Sequence, residues 1–227
     1  MFTGASSIRR WESLVADFPG IPVLNRGFGG SEYSDLVRYA SRVIIPYKPR
    51  LVVCYSGDND INRGKSPEVV ASDFRTLVEQ IHEQLPQTCV AFISIKPSLS
   101  RWKLVTAMRA ANELVKSFIA KDKRLVYIDV FTPMLGPDGK PRPELLLEDG
   151  LHPSAQVEVH HRTLPEVINA AENAVTSRRR PGAREPGRSA SARSAKTRPF
   201  ARSTRTSADT WMGVRSAPRR THGDIAR

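Results

Sequence analysis

Apolar residues along the chain fall into two kinds of stretch. Some are short and continuous; others are longer and spaced for a helix. Residues 51–55 are an unbroken apolar run, the pattern of a strand covered on both faces, and residues 90–95 read as another buried strand. Residues 125–130 read as a further strand, 21–24 as a short one between Pro19-Gly20 and Asn25, and 1–3 as an apolar stub. Between them lie helical patterns. Residues 8–18 carry Trp11, Leu14, Val15 and Phe18 at helical spacing. Residues 31–44 put Tyr33, Leu36, Val37, Ala40 and Val43 on one face. Ser66-Pro67-Glu68 is a strong helix start, with a capping side chain, proline in the first turn and an acid near the positive end of the dipole. That helix should run to about Leu85, where Pro86 stops it. Residues 101–120 turn Leu104, Met108, Ala111, Leu114, Val115 and Phe118 inward, and residues 158–175 read as a last helix.

Strands that alternate with helices predict an α/β fold with a parallel sheet. About five strands fit a flavodoxin-like, three-layer α/β/α sandwich over residues 1–176. In such sheets ligands bind beyond the carboxyl ends of the strands. Residues that follow strands directly are therefore the candidates for chemistry.

Charge divides the chain. Residues 178–227 hold 14 Lys and Arg against 3 Asp and Glu, so nearly all of the formal net charge of +12 sits there. This stretch is rich in Arg, Ser, Ala, Pro and Thr, with few large apolar residues, and from 177 onward it reads as a disordered basic tail. A nucleic-acid role is consequently not a property of the body and is the weakest reading. Cys54 and Cys89 lie inside apolar runs and read as buried free thiols. No run of 18 apolar residues exists, so no membrane span is expected. No signal peptide is visible, which points to a cytoplasmic location for the chain as given, or to a secreted or periplasmic one if an amino-terminal segment is missing.

Four short segments follow strands. Gly4-Ala5-Ser6-Ser7 places a serine at a strand-to-helix turn, where a hydroxyl stands at the top of the sheet. Gly27-Phe28-Gly29-Gly30 brings backbone close to something, and Gly30 opens a helix. Gly57-Asp58-Asn59-Asp60 is a polar stretch after a buried strand, where an asparagine amide could serve as an oxyanion donor or the residues form a plain polar loop. Asp149-Gly150-Leu151-His152 can pair a carboxylate with imidazole Nδ1, leaving Nε2 free as a base. Each is weak in isolation: a serine caps helices and glycines make tight turns. No spacing suits a metal, and no cofactor is called for.

In this order the segments resemble the SGNH (GDSL-like) hydrolase superfamily, across about residues 1–155. The resemblance implies an esterase or lipase. Ser6 would be the nucleophile, Asp149 and His152 the acid and base, and Ser6, Gly30 and Asn59 the oxyanion donors. Ala5 stands where the commonest family motif has Asp. Ile93-Ser94-Ile95-Lys96-Pro97-Ser98 and Arg101-Trp102 look like a bacterial subgroup, which places Lys96 and Arg101 near substrate at the pocket rim. The implied substrate is a small-molecule ester: short acyl, acetyl or lysophospholipid. The amino end is expected to be incomplete, because only three residues precede Gly4 in a strand that should be central. A catalytically impaired remnant of such an esterase is the alternative reading, and oligomeric state is left open.

Overall fold

The computed structural model describes residues 1–154. Five strands form one sheet: β1 (Phe2–Gly4), β2 (Asn25–Gly27), β3 (Leu51–Tyr55), β4 (Cys89–Ile93) and β5 (Leu125–Ile128). Their order is β2-β1-β3-β4-β5, and every neighbouring pair is parallel. β3 and β4 are buried at every position. Alternation along them sends Val52, Cys54, Val90 and Phe92 to one core, and Leu51, Val53, Cys89 and Ala91 to the other. Apolar demand on both faces is why these runs show no polar alternation.

The helices are α1 (Ser6–Arg9), α2 (Leu14–Asp17), α3 (Tyr33–Val43), α4 (Asp58–Asn62), α5 (Pro67–Gln84) and α6 (Val105–Ile119). Tyr33 and Leu36 of α3, Phe74 and Leu77 of α5, and Met108 and Val115 of α6 fill the first core. Ile8, Trp11, Leu14 and Phe18 fill the second. The result is the three-layer α/β/α sandwich that the alternation predicts. The strand order reverses between β1 and β3. A crevice opens at such a switch point, beyond the carboxyl ends of the strands.

Several local expectations are corrected. The helix expected over 8–18 is two short pieces, because the chain turns at Trp11 to bury its ring. That ring packs 5.5 Å from Phe2 and 5.9 Å from Phe18. Its indole N–H donates to Asp17 Oδ2 at 2.5 Å, and Ser13 Oγ donates to the same oxygen at 2.6 Å. Val15, expected inward, is 71% exposed. The strand expected at 21–24 forms instead at Asn25–Gly27. Pro22 has no N–H for a ladder, and pairing begins where Phe2 N donates to Leu24 O at 2.8 Å. The segment after β3, for which a plain polar loop is one of two readings, is helix α4, with Asp58, Asn59, Asp60 and Ile61 buried. A 3₁₀ turn at Trp102–Leu104 precedes α6, and Leu114, expected inward, is 40% exposed.

Other expectations hold. Ser66 caps α5 by accepting from Val69 N, and the helix stops before Pro86. Cys54 and Cys89 are buried and form no disulfide, and burial pushes the Cys54 thiol up to about 12. The last helix at 158–175, the domain limit at 176 and the basic tail lie outside the described residues. Among the described residues no helix is long and apolar enough to cross a membrane.

Candidate active site

The site begins with a contact that only glycine permits. Gly4 ends β1 at φ +134°, and a Cβ there would lie 1.8 Å from the Tyr55 carbonyl oxygen. No side chain fits that approach. The next N–H, of Ala5, donates to the same oxygen at 2.8 Å. β1 is thereby pinned to β3 where it ends, and Ser6 follows as the first residue of α1. An N–H in the first turn of a helix has no carbonyl of that helix to reach.

His152 comes to Ser6 from 146 residues away, with Nε2 2.9 Å from Ser6 Oγ. Its own loop holds it. Leu147 N donates to His152 O at 2.8 Å, and Gly150 N to Leu147 O at 2.8 Å. Asp149 Oδ1 accepts from Leu151 N at 2.9 Å and His152 N at 2.8 Å. Asp149 Oδ2 lies 2.5 Å from His152 Nδ1. A carboxylate only accepts, so Nδ1 carries the proton and Nε2 accepts from the serine hydroxyl. Burial acts to raise the Asp149 pKa, but the hydrogen bonds from the His152 ring and from the two backbone N–H groups outweigh it. They hold the carboxyl well below its ordinary range. Arg10 stands 3.8 Å from the same oxygen at the surface.

Gly30 and Asn59 follow β2 and β3, the strands on either side of β1. Gly30 adopts φ +74°, a backbone open to glycine. The carbonyl of the next residue, Ser31, accepts from Ser56 Oγ at 3.1 Å and from Asn59 Nδ2 at 3.0 Å. Asn59 Oδ1 accepts from both terminal nitrogens of Arg101, each at 3.1 Å.

Lys96 and Arg101, read as rim contacts, are both engaged by protein groups. Lys96 is 3% exposed; its Nζ donates to Tyr55 Oη at 3.1 Å and to Asp58 Oδ2 at 3.4 Å. Burial lowers the Lys96 pKa, against the pull of Asp58. Arg101 reaches the same Asp58 oxygen at 3.2 Å. Beside it, Ser100 donates to Gly150 O from its N–H at 3.1 Å and its Oγ at 3.2 Å. Sequence reasoning missed Asp58 and Ser100. Asp58 was within reach: a lysine closing a buried apolar run requires a buried counter-ion. Ser100 left no such signal. Among the described residues no group of three or more His, Cys, Asp or Glu could hold a metal ion.

A model of the GDSL-like Lipase/Acylhydrolase family matches residues 3–157. The chain belongs to that family. Membership makes this GDSL-family chain a hydrolase acting on ester bonds. Solved structures of similar fold include a GDSL-like lipase from Bacteroides thetaiotaomicron, 20% identical with a TM-score of 0.63, covering 76% of this chain and 87% of that one. A member of the lipolytic G-D-S-L family from Veillonella parvula is 19% identical with a TM-score of 0.59, covering 74% and 96%. An acetyl-xylooligosaccharide esterase from Geobacillus Stearmophilus, in a mutant form, is 17% identical with a TM-score of 0.57, covering 75% and 92%. No curated protein matches.

Proposed function

We propose that this chain is a serine esterase that cleaves carboxylic esters through an acyl-enzyme, with Ser6 as nucleophile. The observation that carries this reading is the unbroken line Asp149 Oδ2–His152 Nδ1, 2.5 Å, and His152 Nε2–Ser6 Oγ, 2.9 Å. His152 takes the Ser6 proton as Oγ attacks the ester carbonyl. Asp149 fixes the tautomer and stabilises the imidazolium. The carbonyl oxygen gains charge, and the N–H groups of Ser6 and Gly30 and the Asn59 side chain receive it. His152 returns the proton to the leaving alcohol. Water, deprotonated by His152, then releases the acid from Ser6.

The substrate is a small ester, short acyl or acetyl in the first instance, with a lysophospholipid as the longer alternative. The test is hydrolysis of p-nitrophenyl acetate. Ser6→Ala should reduce turnover to near background, while leaving the circular dichroism spectrum unchanged. Equal rates for Ser6→Ala and the parent would sink the assignment.

A further inference from the structure

We propose that Arg101 is a positioning residue that sets Asn59 as an oxyanion donor, an inference that rests on the serine-esterase reading above. An asparagine amide has two faces, and only one of them can donate. Here both of its flanking partners select the same face. Arg101 offers only donors, and two of them converge on Oδ1 at 3.1 Å each. The Ser31 carbonyl offers only an acceptor, and it takes one Nδ2 hydrogen at 3.0 Å. Flipping the amide would set donor against donor and carbonyl against carbonyl. The second Nδ2 hydrogen is thus committed by geometry to the side away from Ser31. A guanidinium on Oδ1 also draws electron density from the amide, which makes that hydrogen a stronger donor.

Arg101 is itself fixed. Asp58, one residue before Asn59, holds it at 3.2 Å and shares the same oxygen with the buried Lys96. The charge beneath Asn59 is therefore anchored, not a loose surface arginine. Ser100, the preceding residue, bonds to Gly150 inside the Asp149–His152 loop. One short segment thus braces both the donor side and the base side of the site. This gives the Lys96-to-Arg101 segment a role through Asn59 instead of through direct contact with substrate.

The test is a double-mutant cycle with p-nitrophenyl acetate. Arg101→Met should lower kcat by about tenfold or more and leave KM within about threefold, because an oxyanion contact is realised in the transition state. In the Asn59→Ala background, which itself should lose about 10²–10³ in kcat, Arg101→Met should cost less than about twofold more. Multiplicative losses would overturn the proposal, as would a raised KM at unchanged kcat, which is the signature of a substrate contact. Lys96 still pairs with Asp58 when Arg101 is gone, so the fold should persist. Should Arg101→Met not fold, the cycle is run with Arg101→Lys, which keeps the charge but loses the two-pronged contact. Arg101→Lys should lose kcat by about threefold or more with an unchanged melting midpoint; full activity would overturn the proposal. The Ser6→Ala result is read separately: if Ser6→Ala is fully active, the esterase reading fails and this proposal falls with it. If Ser6→Ala is inactive and the cycle is additive, only this proposal fails.

Discussion

On the Asn59 side of the crevice Asp58, Lys96 and Asn59 itself are buried, and the Arg101 side chain is only 14% exposed. On the His152 side the Asp149 side chain is 43% exposed, and its anchors are hydrogen bonds within four residues of chain. The difference follows from what each side does in the proposed reaction. An oxyanion donor meets charge only in the transition state, so it must be in place beforehand, and low-dielectric surroundings strengthen it. A base has to trade protons with leaving alcohol and water twice per turnover. It is served better by a loop at the solvent edge than by burial. Rigidity is needed on one side and access on the other.

This contrast can be broken in four ways. The largest effect is expected from Asp149→Asn, which should lower kcat by about 10⁴ at neutral pH through the wrong histidine tautomer. Its unfolding free energy should change by less than about 1 kcal/mol, since the Asp149 side chain is 43% exposed. A large loss of stability in urea titration would show that the loop is structural after all. Asp58→Ala should do the reverse in stability, costing about 3–5 kcal/mol because the buried Lys96 and the part-buried Arg101 lose their shared counter-ion. A cost under about 1 kcal/mol would refute the buried-charge account. Cys54 should resist an aromatic disulfide reagent at pH 8 until the chain unfolds, because its thiol is pushed up to about 12 by burial. Rapid modification of the folded protein would show that the first core opens easily.

The smallest effect calibrates the exposed side. Hydrogen bonds from Arg124 lower the Asp122 carboxyl to about 2, against a smaller rise from burial. A carboxyl depressed in the folded state adds stability above its unfolded value, near pH 4. That contribution is lost as pH falls through about 2. Asp122→Asn should therefore cost about 0.2–1 kcal/mol at pH 7 and progressively less below pH 4. A constant difference across that range would place the effect in packing instead.

Much of this was legible in the chain itself, and for particular reasons. β3 and β4 announced themselves because burial on both faces leaves no polar residue inside them. Ser6, Gly30 and Asn59 stand in short polar or glycine-rich segments after β1, β2 and β3, where an α/β sheet presents groups to a crevice. It was the resemblance to the SGNH family that singled them out, together with Asp149 and His152, which lie well beyond the end of β5 at Ile128. The break at Trp11 was hidden, since Leu14 and Phe18 keep helical spacing across it while Asp17 rewards the turn through bonds to Trp11 and Ser13. β2 was displaced because an edge strand of three residues carries little apolar signal, and the apolar residues before it pack on the core without pairing. The roles of Asp58 and Ser100 depend on contacts with Lys96, Arg101 and Gly150 that lie 38 to 50 residues away, beyond the reach of any local pattern.

The hydroxyl of Ser6 meets the imidazole of His152 across 146 positions of sequence. Synthesis runs from one end, so the first of these residues leaves the ribosome long before the second. Between them the whole sheet must be laid down and the loop at 147–152 closed. Non-local closures of this kind form late. In the proposed mechanism a nascent or half-folded chain therefore carries a serine with no partner to activate it. Under that mechanism hydrolysis requires the loop at 147–152 to have docked, which would make turnover a clock for the completion of folding.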